Sequence, residues 1–599
     1  LAEARKRPLS RAGKARAAHL EALMAGTEKR YADAARLLAE AKPALDPARR
    51  AIAAYAEYYA RSLADPTLAL TPPTVVSDPY SAVMRAYTAG FLEDVPAAIA
   101  IIKDAEAQFP KESSLPAVRA LLAQMNNDRV QMREAIDQAL ALDPDDSIAL
   151  LARSRYYLEF EGNLKASLAD LNRAVEISPA SSTIWNNLGL VEDARGNARA
   201  AEAALKRSIE LDPESAIGYA NLAILYLDQA RMKEAKRQID QALAADPAFS
   251  LALLARGRYY LQTGEIAKAT DDLLASSVAN PGYSQAQLML AAAHYESGAQ
   301  VPAEQAIDNA DRLDKNDPVI SSIRTAVAID EYDAEGAIRN AQEFLRRSQA
   351  RGGHYASLGA NQSAGSTLNS AFRLQGLDAW GQYYGDAVFD PFSGSAYIDQ
   401  SVRGGADPPA NAFFYGGNVI TNTQNSSSFS SFLQGLMFEP HMLAGRSRST
   451  NLFRRPFFEG EIGVGTTLNP GVEGLASDVT IQGYANEPVP ISGYLNLQYS
   501  KSPDYTRSVI FGPDAFDMDS ESGVTSATGY LTSTITPNDR VVAYINHNKS
   551  TFNFDVPFPL IPLSSFNYGL STNFTTAGLG WSHTAGYRTA GRLAACCTD

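Results

Sequence analysis

At 599 residues the chain is longer than a single hydrophobic core organises, so more than one domain is expected. Its formal net charge of -14 excludes a general nucleic-acid binder, because neutralising phosphates needs a basic surface that no segment supplies. The two cysteines, Cys596 and Cys597, are adjacent near the end, which excludes a disulfide framework or a cysteine-based metal site in the body of the chain.

Composition divides the sequence: up to Ala350 it is rich in Ala, Leu and charged residues, and from Arg351 in Gly, Ser, Thr, Asn, Tyr and Phe. The basic run from Arg5 to Arg16 reads as a solvated helix face. Residues 1–78 are expected to hold N-terminal helices, with a degenerate pair from about Arg16 to Pro47 that places Ala34, Leu38 and Ala41 at its contact. No stretch reaches the ~18–20 apolar residues of a membrane-spanning helix. The start at Leu1 and the abrupt stop at Asp599 suggest a piece of a longer protein, so the lack of a leader excludes nothing.

From residue 79 to 348 the sequence repeats. Prolines stand at Pro110, Pro144, Pro179, Pro213, Pro247 and Pro281, which are 34, 35, 34, 34 and 34 residues apart, and each stops a helix pair. Between Ser182 and Pro213, Trp185, Leu188 and Gly189 line a first helix, with Ala201 and Leu205 on a second. The next copy carries Tyr219, Leu222, Ala223, Tyr226, Ala235, Ile239 and Ala242, and the one after it Gly257, Tyr260, Ala269 and Leu273. Small residues where backbones approach and large ones beside them are what antiparallel helix packing demands. Gly196, Gly264 and Gly298 fall between paired helices, where a left-handed residue caps the first. A last pair from Pro318 to about Ser348 closes the array.

Residues 349–455 form a Gly/Ser/Asn-rich connecting or plug-like segment, with a polar run at 421–431 and aromatic patches such as Trp380–Tyr384. From Pro456 to Asp599 the period becomes two. Phe458, Gly460, Ile462 and Val464 alternate with Glu459, Glu461, Gly463 and Gly465, and Ile491, Gly493, Leu495, Leu497 and Tyr499 alternate with polar partners. Further strands are predicted near Val479–Tyr484, Thr525–Thr536, Val541–Asn548 and Asn573–Ser582, six in all, with a hairpin turn at Pro537–Arg540 and long connections at Ser502–Ser522 and Thr551–Ser565. Short turns alternating with long loops, and apolar-out, polar-in strands, are the pattern of an outer-membrane β-barrel, here incomplete. A soluble β-domain gives similar alternation and stands as the alternative.

No chemistry emerges. The six histidines are scattered, no Gly-x-Ser-x-Gly elbow is present, and Gly463-Val464-Gly465 runs on in a strand without a Lys-Ser/Thr pair. The chain is therefore read as no enzyme, with no catalytic, cofactor-binding or metal residues.

The repeats from Pro79 to Pro318 resemble the tetratricopeptide family, which implies an all-α solenoid whose groove binds protein or peptide ligands. Arg153, Asn187, Asn221 and Arg256, on first helices, are the candidate groove contacts. A solenoid followed by a barrel is similar in architecture to bacterial exopolysaccharide export proteins. That resemblance implies a Gram-negative outer membrane, a periplasmic solenoid and a polysaccharide or solute as cargo, with Glu459 and Glu461 as candidate lumen-facing residues. A TonB-dependent-receptor-like barrel plugged by 349–455, and a scaffold with a soluble β-domain, are the other readings.

Overall fold

A repeat that stops at a proline every 34 residues has room for two short helices, and that is how the chain folds. The computed structural model describes residues 9–351 and 456–598, apart from positions 28–29, 75–77, 127, 162, 196, 332, 470–471, 512–513, 537, 558–564 and 587–588. The expectations for 349–455, the plug-like reading and the Gly196 cap thus lie almost wholly outside the described residues. Among the described residues nineteen α-helices precede seven strands, and contacts group the chain into two compact units, Leu1–Val191 and Glu192–Asp599.

In the first unit, α1 (Arg11–Thr27), α2 (Tyr31–Ala41) and α3 (Pro47–Ala64) pack around Ala15, Ala22, Leu38, Leu45 and Ala53. α1 and α2 lie over the outlying pair expected from about Arg16 to Pro47, and α3 starts where that pair ends. The array continues with α4 (Pro79–Leu92), α5 (Val95–Gln108), α6 (Ser114–Met125), α7 (Arg129–Leu142), α8 (Ser147–Tyr156), α9 (Leu164–Ile177) and α10 (Ser182–Ala194), the last straddling the division between units. Short polar residues begin these helices for a physical reason. Asp46, Asp78, Asp94, Asp128, Asp146 and Asn163 each accept a hydrogen bond from a backbone N–H in the first turn, a cap that typically contributes about 1 kcal/mol.

The second unit holds α11 (Ala198–Leu211), α12 (Ala216–Asp228), α13 (Met232–Ala245), α14 (Ser250–Thr263), α15 (Ile266–Ala279), α16 (Ser284–Glu296), α17 (Gln300–Leu313), α18 (Pro318–Asp330) and α19 (Ala334–Arg351). Leu205, Leu222, Tyr226 and Ile239 fill the space beside Ala201, Ala223, Ala235 and Ala255 in one buried cluster. At Gly257 a Cβ would lie 2.5 Å from the Leu273 side chain, so α14 and α15 approach as closely as they do only because that residue is glycine. The proline period has a second use: Trp185 Nε1 donates to Pro179 O at 2.9 Å, and Tyr219 OH to Pro213 O at 3.1 Å.

The strands are β1 (Phe457–Asn469), β2 (Val472–Ala485), β3 (Ile491–Phe511), β4 (Asp514–Thr536), β5 (Asp539–Pro557), β6 (Ser565–Gly586) and β7 (Thr589–Thr598). They form one antiparallel sheet in chain order, open between β1 and β7 among the described residues. The hairpin turn after Thr536 is where the sequence placed it. The long connections are corrected: β3 and β4 stay paired as far as Phe511 and Asp514, and β5 and β6 as far as Pro557 and Ser565, so most of Ser502–Ser522 and part of Thr551–Ser565 continue the ladder. Alternation is weak there, with acidic residues such as Asp517, Asp519 and Glu521, and only pairing with a neighbour makes strands of those segments. β7, also unpredicted, carries Cys596 and Cys597 opposite Gly578 and Ala577.

The turn between α14 and α15 has Gly264 at φ 84°, and that between α16 and α17 has Gly298 at φ 77°, as the sequence suggested. The equivalent turn after α12 instead holds Ala230 at φ 54°, a left-handed position that strains any residue with a Cβ. Ala230→Gly should stabilise the protein by about 0.5–1 kcal/mol and Gly264→Ala should destabilise it by a similar amount. Urea unfolding followed by helical circular dichroism checks both, and equal signs for the two variants would disprove the strain.

Candidate functional site: the inner face of the repeats and the two faces of the sheet

First helices pack on the first helices of neighbouring pairs, α4 on α6 and α6 on α8 in the first unit, α12 on α14 and α14 on α16 in the second. Their shared side is the inner face of each stack, where a ligand of the repeats would lie.

On this face the chain uses the same device twice. α8 carries Arg153 and Arg155, and α14 carries Arg256 and Arg258. Two residues along a helix turn by about 200°, so the members of each pair point to opposite sides. Arg153 makes a two-pronged ion pair with Asp170 of α9, both contacts at 2.7 Å, and Arg256 does the same with Asp272 of α15 at 2.6 and 2.7 Å. Hydrogen bonds donated to these carboxylates hold both guanidinium groups above their ordinary pKa. Arg153 and Arg256, expected in the groove, thus clamp the two helices of their own pair.

Their neighbours reach across pairs. Arg155 Nε donates to Asn187 Oδ1 of α10 at 2.9 Å and its Nη1 to Gln124 Oε1 of α6 at 3.2 Å, while Gln124 donates to Glu159. Burial lowers the Arg155 pKa, against the attraction of Glu159. Asn187 is itself buried and donates to Thr183 O at 2.7 Å, so it supports this network; Asn221 is half-buried on α12. In the second unit Arg258 of α14 pairs with Asp228 of α12, and Asp193 of α10 faces the same two groups. Arg155, Asp193, Asp228 and Arg258 were missed by sequence reasoning. The signal was present in the Arg-x-Arg spacing at 153–155 and 256–258, whose second member must face away from the clamp.

The sheet supplies the second surface. Directly paired residues share a face, so the register puts Phe458, Ile462, Val464, Ile481, Leu497, Leu531, Ile545, Leu579 and Leu593 together on one side. All nine are exposed, Phe458 and Ile462 by 77%. The opposite side carries Glu459, Glu461, Thr480, Gln482, Tyr484, Ser492, Tyr494, Asn496, Thr528, Tyr530, Thr532 and Tyr544. There Ser492 and Thr532 are each 1% exposed, Tyr494 is 6% and Gln482 is 7%. Rings and amides knit the polar side: Tyr494 stacks on Tyr530 with centroids 4.9 Å apart, and Asn496 Nδ2 donates to Thr480 Oγ1 at 2.8 Å. Glu459 and Glu461 stand exposed at its β1 edge, Glu459 accepting from Gln482 Nε2 at 2.7 Å. Among the described residues no group of three or more His, Cys, Asp and Glu could hold a metal ion.

Asp193 links the stability of the repeats to pH. Burial and the Asp228 carboxylate raise its pKa to about 6, against the pull of Arg258. A carboxyl with a raised folded-state pKa favours folding below its unfolded pKa, and that advantage is lost as pH rises through about 6. Asp193→Asn should therefore stabilise the repeats at pH 7.5 by about 1–2 kcal/mol and change little at pH 4. Urea midpoints of both proteins across that range check this, and parallel curves would refute it.

Two consecutive segments, residues 182–215 and 216–249, match the sequence model of the tetratricopeptide repeat. No curated protein sequence matches the chain. Solved structures similar to it include PilW, a type IV pilus biogenesis factor, at 20% identity over 33% of this chain and 92% of that one, with a TM-score of 0.28. Yeast Tom70 matches at 11% identity over 71% of this chain and 92% of its own, TM-score 0.36. The pilF protein of Pseudomonas aeruginosa matches at 21% identity over 38% and 94%, TM-score 0.28. With the period, the small-residue contacts and the matched segments in agreement, the helical array is a tetratricopeptide-repeat solenoid.

Proposed function

We propose that the protein is a tetratricopeptide scaffold that binds a protein or peptide partner on the inner face of its repeats and is anchored by its sheet in a bacterial outer membrane. In this reading the seven strands are part of a β-barrel, the repeats lie in the periplasm, and the barrel serves export or transport of a polysaccharide or another solute.

One observation carries it: the sheet is inside out relative to a sheet that meets water. Apolar side chains form the exposed face and Tyr, Thr, Ser, Asn and Gln the sheltered one. A water-facing protein rarely leaves so large an apolar surface uncovered, whereas a lipid-facing strand requires it. The lengths agree. Strands of 19–23 residues, β3 to β6, exceed the ~9–11 that cross a bilayer core, and the exposed apolar positions of β4, Leu531 and Ile535, lie toward its Thr536 end while residues 514–523 are acid-rich. That end is also the one nearest the repeats, since the β2–β3 turn bonds to α14 there. No described helix is long and apolar enough to cross a membrane, so the sheet is the candidate anchor among the described residues.

The full-length gene should be expressed in a Gram-negative host, the membranes fractionated and the protein run on gels with and without heating. Outer-membrane recovery with a heat-dependent shift is expected. Leu579→Arg, in the exposed apolar face, should lower that recovery sharply, since a lipid-facing Arg costs about 2–4 kcal/mol near the bilayer centre. Recovery in the soluble fraction without a shift would refute the anchor and leave a repeat scaffold with a water-facing β-domain.

A further inference from the structure

Among the described residues, a short turn ties the sheet to the repeats within the second unit. Asn486, which follows β2, is 5% exposed, and its Nδ2 donates to the backbone oxygen of Gln262 at 3.2 Å. The next residue, Glu487, pairs with Lys233 of α13 at 2.9 Å. At the other end of the turn the Pro490 oxygen accepts from Thr534 N and from Ser533 Oγ, both at 3.0 Å, which fixes the turn to β4. The exposed ion pair contributes little, whereas the buried amide bond cannot be lost without stranding a carbonyl. Residues 486–490 therefore sit as a peg, rigid on the sheet side and seated on α14.

The seat is continuous with the groove. Gln262 is 8% exposed and sends its own Nε2 to Leu227 O of α12 at 3.4 Å. One helical turn earlier on α14, Arg258 pairs with Asp228, the residue after Leu227. Residues 227 and 228 thus face 262 and 258 across one seam between α12 and α14, with the groove pair and the seat of the peg one turn apart.

We propose that this seam couples the groove to the sheet: a partner that takes Asp228 or Arg258 out of their pair shifts α12 against α14 and loosens the seat of the β2–β3 turn. Coupling of two sites needs an element whose arrangement both of them bias, and the seam is bonded to both. The proposal does not depend on the membrane reading, because it concerns only bonds within the second unit.

Hydrogen exchange of the backbone amides of Asn486, Glu487 and Val489 in the full-length protein tests it. Asn486→Ala should speed their exchange about tenfold by removing the buried bond. Arg258→Ala, which removes no bond of the turn, should speed it several-fold as well, with helical circular dichroism unchanged. Asp228→Asn preserves shape and should act in the same direction, so it decides the matter should Arg258→Ala unfold the repeats. Wild-type exchange at the turn in a folded Arg258→Ala or Asp228→Asn protein would overturn the coupling, and wild-type exchange in Asn486→Ala would overturn the seat.

Discussion

Two short antiparallel helices joined through alanine and glycine cannot bury their apolar sides on each other alone, and everything else in this solenoid follows from that shortage. Ala201, Ala223, Ala235 and Ala255 bring the backbones close, and Leu205, Leu222, Tyr226 and Ile239 then find shelter only between successive pairs. Because the next pair is needed to complete each core, first helices stack on first helices. The inner face is thus a consequence of packing, and the charged groups on it are those that the packing left available.

Polar groups between the pairs are held by multiple partners. Burial would raise the carboxyl of Glu202, but hydrogen bonds from Arg231, Lys206 and Tyr226 outweigh it and bring its pKa to about 2, joining α11, α12 and α13. Asp193 is the contrasting case, half-buried beside a like charge. A satisfied carboxylate rigidifies the stack, while an opposed one stores a cost that a cationic partner group would relieve, and the inner face holds the second kind.

The array was legible in the sequence because its signals are local: a proline cannot continue a helix beyond its first turn, and a 34-residue period survives substitutions inside the repeat. The faces of β1 and β3 were legible for the same reason, since Phe458, Ile462, Leu495 and Leu497 alternate by two whatever their neighbours do. Strand extent was not, because the acidic stretch from Asp514 to Glu521 becomes a strand through pairing with β3 and β5, which no local pattern records. Ala230 was invisible as well: it looks like any alanine, and only its backbone geometry reveals that it stands where Gly264 and Gly298 stand two and four helices later.

The paired arginines show how two residues of one helix can meet different partners. Arg153 and Arg256 stand on α8 and α14, the first helices of their pairs. Asp170 and Asp272 follow them by 17 and 16 residues, close to the offset between contacting positions of one helix pair, and each carboxylate holds its arginine. The arginine two residues later, rotated by about 200°, has no carboxylate at that offset and must look to the neighbouring pair. At α8 it bonds the neutral amides of Gln124 and Asn187 with Glu159 nearby, and at α14 it pairs with Asp228, so the same motif meets different partners. What each second arginine meets across the seam thus differs between the two stacks, and the arginine itself is the constant.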